Sequence, residues 1–346
     1  MKFLEKQSPS RIIAAGFLAV ILLGSWILML PCSVRPGVDL QYIDALFTST
    51  SAVCVTGLIA VDVGDTFTPF GQAVVAGLIQ IGGLGVTSVG VGMILALGRK
   101  VNLKERLLVK EAMNVDTGKG MVNLVKNVLK VTLCFEVAGA VLSFICFSKR
   151  YDPLKALGVS VFHSIAAFNN SGFDNMGNFQ NLIPYKDDVL LNMTTCGLII
   201  FGGLGFLVIV DILKKRSFRK LAFHSKAVIV TTIVLLTSGT LLIQLTEDIT
   251  WMGAFFTSVS ARTAGFSTFS LGDFTNAGLL AVAVLMFMGA SPGSTGGGIK
   301  TSTVFTLFHF IKGAATNQPA GAFHYRISQE AFYKAAIVTT LSACVV

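Results

Sequence analysis

The sequence predicts an all-α polytopic membrane protein, and three observations carry that reading. The 346 residues are 53% hydrophobic and only 13% charged, with a mean hydropathy of +0.73, outside the range of soluble domains. Long apolar runs alternate with basic clusters, the pattern expected of spanning helices joined by cytoplasmic loops. A short, charge-poor segment also comes three times: Phe47–Leu58 (FTSTSAVCVTGL), Phe162–Phe173 (FHSIAAFNNSGF) and Phe255–Phe266 (FFTSVSARTAGF). Each copy has a Phe, nine residues, then a Gly preceded by a small residue, Thr56, Ser171 or Ala264.

Such segments are too short to cross a hydrocarbon core, which takes roughly 20 residues of helix. They must enter and turn back, and non-helical backbone survives at membrane depth only against protein or a water-filled cavity. Each is therefore expected to be a pore helix ending in an extended turn. Gly57, Gly172 and Gly265 tolerate positive φ and close approach, so they can aim successive carbonyls at one axis, where these replace the hydration shell of a cation. The C-terminal end of each pore helix adds a partial negative charge of about half an electron. No Asp or Glu lies in the three segments, so carbonyls would have to select the ion. One copy alone reads equally well as a loop with a turn Gly; three copies at corresponding places do not.

The chain divides accordingly. Lys2, Lys6 and Arg11 precede an apolar run from Ile12 to Leu30. LMLPCS lacks the small residues of a cleavage site, and Pro31 spoils a lipobox, so the run is a first spanning helix with a cytoplasmic N-terminus. The stretch that follows is acidic (Asp39, Asp44, Asp62, Asp65) and holds the first pore segment; the chain returns through Phe70 to Leu97, with Ile81-Gly-Gly-Leu-Gly85 near the middle. Arg99, Lys100, Lys104, Arg106 and Lys110 mark a cytoplasmic loop. Unit 1 is thus residues 1–111. Unit 2, residues 112–224, repeats the order with a helix near Val131–Phe147, the second pore segment, a helix over Val189–Leu213 containing Phe201-Gly-Gly-Leu-Gly205, and a basic loop from Lys214 to Lys220. Unit 3, residues 225–330, has a helix over Ala227–Leu245, the third pore segment and a helix from about Ala277. Residues 331–346 begin a fourth unit and stop.

The third unit carries MGASPGSTGGGIKTST from Met288 to Thr303, which no helix takes through a membrane intact. It is expected to be an intramembrane loop below the third pore segment, acting as a gate. Gly289, Ala290, Ser291, Pro292, Gly293, Ser294, Thr295, Gly296, Gly297 and Gly298 give polar surface and mobility, and Lys300 puts a positive charge near the inner exit or snorkels to the interface. Glu136, inside an apolar run, must face a partner or a cavity.

Several function classes are excluded or disfavoured. The net charge of +9 sits in loops, without the aromatic and basic interleaving of nucleic-acid binding. Cys32, Cys54, Cys134, Cys146, Cys196 and Cys344 have no CxxC or CxxH spacing and read as small core residues. His163, His224, His309 and His324 are too dispersed for a metal set. Gly293–Gly298 imitates a phosphate loop, but Ile299 separates the last Gly from Lys300. Ser291 has no His at matching depth for an intramembrane protease. No nucleophile and base pair implies an enzyme.

Together VTGL, NSGF, TAGF, the GGLG helices and GASPGSTGGGIKTST resemble the membrane subunit of the Ktr/Trk/HKT potassium transporter family, in its bacterial Ktr form, over essentially the whole chain. The resemblance implies a four-unit pore, potassium selectivity from one Gly per unit, and a gating loop. It also implies a homodimer in the bacterial cytoplasmic membrane, a cytosolic nucleotide-binding RCK ring of the KtrA kind on the inner face, and no cofactor beyond the transported K⁺. The ion site falls to Val55, Thr56, Gly57, Asn170, Ser171, Gly172, Thr263, Ala264 and Gly265. The fourth filter segment has no counterpart before Val346, so a fragment is expected. Uptake of potassium, with sodium dependence or sodium permeability open, is the leading function; a secondary transporter for a small anion and a non-transporting subunit are the rivals. An anion transporter would show inverted repeats, whereas these units run in one orientation.

Overall fold

The computed structural model describes residues 8–96, 108 and 121–345. The basic segment from Arg99 to Lys110, apart from Leu108, lies outside the described residues, as do Lys2, Lys6, Val346 and the boundary between residues 111 and 112.

Among the described residues, three helices are long and apolar enough to span a membrane. Helix α1 (Pro9–Leu28) has Pro in its first turn, where the missing N–H costs nothing, and stops before Pro31. Its 20 residues reach about 30 Å. Helices α5 (Met121–Phe147) and α9 (Phe223–Thr246) are longer. α5 begins well ahead of Val131, because Lys126 and Lys130 stand one turn apart on its exposed face and need not interrupt it. The outward faces of these helices carry Leu22, Leu23 and Trp26, Leu133, Val137 and Val141, and Ile233, Leu241 and Leu242. Exposed apolar area on that scale is stable only against lipid.

The short helices are α2 (Tyr42–Cys54), α6 (Pro153–Phe168) and α10 (Trp251–Ala261), of 13, 16 and 11 residues. All fall below a full span. They start before the repeated Phe because their start signals lie outside the repeat. Pro153 occupies the first turn of α6, and the Thr250 hydroxyl accepts the Gly253 N–H to cap α10.

The GGLG helices, expected as Gly-interrupted spans, turn through sharp corners. α3 (Pro69–Leu84) and α4 (Val86–Ala96) meet at about 100°, and α7 (Val189–Leu204) and α8 (Phe206–Lys215) at 97°. The pivots are Gly85 and Gly205, at φ 80° and 91°, a backbone state that glycine enters without a Cβ penalty. Helix α11 (Asn276–Phe287) ends at an irregular stretch over 288–300; α12 (Thr301–Thr316), a small hairpin of Gly321–Ala322 with Tyr325–Arg326, and α13 (Gln329–Val345) follow.

Packing runs in chain order. α2 lies between α1 and α3, α3 touches α6, α6 lies between α5 and α7, α7 touches α10, and α10 lies between α9 and α11. Among the described residues no comparable helix pairing closes α11 back onto α1 or α3. The arrangement is an arc with an open side. The six cysteines are free, but only Cys146 and Cys196 are buried; Cys32, Cys54, Cys134 and Cys344 are exposed, which corrects their reading as core residues. A thiol is apolar enough to sit on a lipid-facing surface.

Candidate ion pathway

Each short helix ends in the same backbone sequence. Val55, Asn170 and Thr263 stand at φ 56°, 56° and 72°, and two residues later Gly57, Gly172 and Gly265 stand at 72°, 71° and 80°. Left-handed backbone was expected at the glycines only. At Val55, whose branched side chain opposes it, the cost is about 1–2 kcal/mol, strain of the kind that structures hold at functional sites. The middle residues bond back to their helices: Thr56 N–H to Ser51 O (3.0 Å), Ser171 N–H to Ala166 O (2.9 Å) and Ala264 N–H to Ser260 O (2.9 Å). With the N–H groups turned inward, the carbonyls are left over. Among the described residues no hydrogen bond reaches those from Val55 to Gly57, of Asn170 and Ser171, or from Thr263 to Gly265. Unsatisfied carbonyls at membrane depth require water or a cation.

The three segments meet. A Cβ at Gly57 would run into the Ser171 carbonyl, and one at Gly172 would stand 2.7 Å from Ala264 O and 3.0 Å from the Gly265 Cα. Any side chain there would push neighbouring segments apart. The order of contact is Gly57, Gly172, Gly265, along the same arc as the helices.

The loop expected from 289 to 300 sits against the base of these segments, bonded to the break in α7. Breaking a helix frees backbone groups, and the loop takes them: Ser291 N–H donates to Gly203 O (3.0 Å), Thr295 N–H to Gly202 O (3.3 Å), and Phe206 N–H to Gly293 O (3.0 Å). The Thr295 hydroxyl donates to Phe168 O at the end of α6 (3.1 Å). Gly202 has to be a glycine, since a Cβ would occupy the place of that same Phe168 oxygen. Within the loop, Ala290 N–H bonds Gly297 O, Ser294 Oγ donates to Ser291 O, and Thr301 Oγ1 donates to Ser291 Oγ. Lys300 folds back instead of reaching for the interface, its Nζ donating to Gly296 O at 2.8 Å.

Several residues that sequence reasoning passed over belong to the site. Arg262, buried at the end of α10, donates from Nη2 to Gly289 O (3.3 Å) and so ties the third segment to the start of the loop. Among the described residues no carboxylate pairs with it. Asn169 joins three helices, its Nδ2 donating to Gln80 Oε1 (2.8 Å), Glu136 Oε1 (3.3 Å) and Ile165 O (2.9 Å). That contact is the partner Glu136 was expected to need. Buried His163 bonds Thr195 through Nε2 at 2.8 Å. Outside the segments, Asp174 is held by Met176 N–H and the Asn181 amide. Burial first, and then the carboxylates of Asp62 and Asp65, push its carboxyl up to about 6.

Short helices ending in left-handed segments with unbonded carbonyls, packed on an irregular loop between α11 and α12, make a candidate ion pathway. The sequence matches the TrkH family of cation transport proteins over residues 4–343, and the chain belongs to that family. It is 38% identical over 313 residues to the Ktr system potassium uptake protein B of Bacillus subtilis, covering 87% of this chain and 69% of that protein. Over 358 residues it is 36% identical to the potassium/sodium uptake protein NtpJ of Enterococcus hirae, covering 99% and 78%. The crystal structure of the potassium transporter TrkH from Vibrio parahaemolyticus superposes with a TM-score of 0.68 at 20% identity, over 96% of this chain and 69% of that one. That likeness is one of fold. The chain is a multi-pass membrane protein of a cation transport family.

Proposed function

We propose that this protein is the pore subunit of a potassium uptake system. K⁺ passes the carbonyls of Val55, Thr56 and Gly57, Asn170, Ser171 and Gly172, and Thr263, Ala264 and Gly265, and the loop from Gly289 to Lys300 gates the path beneath. The carrying observation is the meeting of three left-handed segments whose carbonyls, that of Gly172 apart, accept no protein hydrogen bond among the described residues. Oxygen ligands of that kind suit a dehydrated alkali cation. The names of the relatives agree, since they are potassium and potassium/sodium uptake proteins; sodium dependence or permeability belongs to the same reading. The anion rival needs free N–H groups at the start of a broken half-helix, and in α8 the Phe206 N–H is already given to Gly293 O.

The rest of the proposal follows the same line. The units run over 1–111, 112–224, 225–330 and 331–346, the N-terminus faces the cytoplasm, the protein acts on no substrate chemically and needs no cofactor, and it works as a homodimer with a cytosolic nucleotide-binding RCK ring. Ktr-type relatives are named as parts of a system, which supports a partner subunit.

The test is growth of a potassium-uptake-deficient bacterium on low potassium with the transporter and its Gly57→Ser, Gly172→Ser and Gly265→Ser variants. Rescue is expected once a fourth pore segment is supplied, with Na⁺ blocking potassium uptake more strongly in each variant. Unchanged discrimination in all three would remove the filter assignment.

A further inference from the structure

Asn181 lies in the loop after the second segment, away from every motif that the sequence displays. Its backbone is left-handed, at φ 49°, and its side chain is half-buried. All four hydrogen-bonding positions of the amide are used. Nδ2 donates to the Gly172 carbonyl (3.1 Å) and to Asp174 Oδ2 (3.2 Å), while Oδ1 accepts from Leu182 N–H (2.9 Å) and Ser267 N–H (3.1 Å). Both Oδ1 partners are donors and both Nδ2 partners are acceptors, so the amide has one orientation. A second bond, Leu182 N–H to Ser267 O at 3.1 Å, doubles the link to the third unit. On the other side, Asn178 N–H donates to Asp65 and Phe179 N–H to Asp62, each at 2.7 Å. The loop is thus moored to units on both flanks, and Asn181 carries that mooring into the pore.

The consequence concerns one carbonyl. Gly172 O is the outermost of the second segment, and it already accepts a hydrogen bond from the protein. The equivalent oxygens of Gly57 and Gly265 have no such bond among the described residues. An oxygen that shares its lone pairs with an N–H is fixed in direction and offers less to an ion. We propose that Asn181 is a positioning residue for ion discrimination: it holds the Gly172 carbonyl against the outer end of the third segment, making the outermost ion position unequal around the ring and rigid on that side. Rigidity disfavours the smaller Na⁺, which would need the ring to contract. The inference rests on the filter reading above.

The test uses the full-length transporter in membrane vesicles, with rubidium as tracer and Na⁺ as competitor, so that the ratio of the two affinities is independent of how much protein is inserted. Asn181→Gly removes the amide and keeps the left-handed backbone; Asn181→Asp keeps the shape and sets an oxygen against Gly172 O and Asp174. Both are expected to lower the K⁺ over Na⁺ ratio by about five- to tenfold, the worth of one net hydrogen bond, with Vmax changed far less. Asn178→Gly, whose link to Asp65 runs through its backbone N–H, is expected to keep the parent's ratio. Ratios within about twofold of the parent for both Asn181 variants, while Gly172→Ser shifts it, would overturn the role of Asn181 alone. An unshifted ratio in Gly172→Ser together with Gly57→Ser and Gly265→Ser would overturn the filter reading itself. If a variant carries no flux, protection of the purified protein from thermal unfolding by K⁺ against Na⁺ reads the same ratio, and a shifted or unshifted ratio decides in the same way.

Discussion

At the residue scale the outer mouth and the buried carboxylate make separate claims. Asp174 stands two residues beyond Gly172, and its carboxyl is pushed up to about 6 by burial and by Asp62 and Asp65. It is ionised above that value and neutral below it. Lowering the external pH from 7.5 to 5 should therefore remove a negative charge beside the filter and raise the apparent KM for K⁺ a few-fold, with Vmax unchanged. Asp174→Asn should show the acid-side KM at both pH values; a variant that keeps the parent's pH dependence would place the titrating group elsewhere. Glu136 acts on structure instead. Glu136→Gln preserves an acceptor for Asn169, whereas Glu136→Leu removes the longest of three contacts shared by its two N–H groups and should cost about one net hydrogen bond, ~0.5–1.5 kcal/mol, read as a lowered Tm in detergent. The glycines of the segments were legible because they recur, and Glu136 because a carboxylate stands out in an apolar run. Asp174, Asn181 and Arg262 were not, because what gives each its role includes a contact far along the chain: Asp62 and Asp65 for Asp174, Ser267 for Asn181 and Gly289 for Arg262. The Asn178 to Asp65 bond, for instance, joins residues 113 apart, and no local pattern announces it.

At the scale of elements, Gly-Gly-Leu-Gly reads in the sequence as a weak point in a spanning helix, and it is a corner of about 100°. Composition marks where a helix can break, not the angle that follows, which depends on what accepts the freed backbone groups. In α7 the acceptor is the loop, through Ser291, Thr295 and Gly293. The loop itself was legible because five glycines and a proline cannot continue a helix; its attachment to the end of α6 was not. That attachment sets the next prediction. Thr295→Val keeps the volume and removes the hydroxyl bond to Phe168 O, loosening the loop by about one net hydrogen bond. Resting flux should rise about fivefold, and deletion of residues 293–298 should raise it further. Unchanged or reduced flux in correctly inserted protein would count against a gate. Gly202→Val is expected to behave oppositely, lowering the yield of folded protein, because its Cβ would displace the Phe168 carbonyl.

At the scale of the molecule the governing feature is the open arc. Among the described residues, helix contacts run from α2 through α3, α6, α7 and α10 to α11 without a comparable pairing that returns to α1 or α3, and the glycine contacts run Gly57, Gly172, Gly265 in the same order. An ion held by carbonyls on an arc is exposed on its open flank, where lipid offers no ligands and water would restore the hydration shell. Selection by a carbonyl ring depends on replacing that shell completely. A further wall between α11 and α1 is therefore needed for discrimination, whichever polypeptide supplies it. The expected outcome is that the 346-residue chain alone, reconstituted in vesicles, takes up rubidium poorly and with little preference over Na⁺. Supplying a fourth pore segment, in the same chain or from another, should restore both rate and preference. Single cysteines at Ile59, beside the first segment, and at Phe179, beside the second, should then report the change. Both side chains are exposed, and a wall that narrows the mouth should slow their labelling by a charged thiol reagent. Selective uptake by the short chain alone, with labelling unchanged on adding the segment, would mean that the arc closes on itself and that three segments suffice.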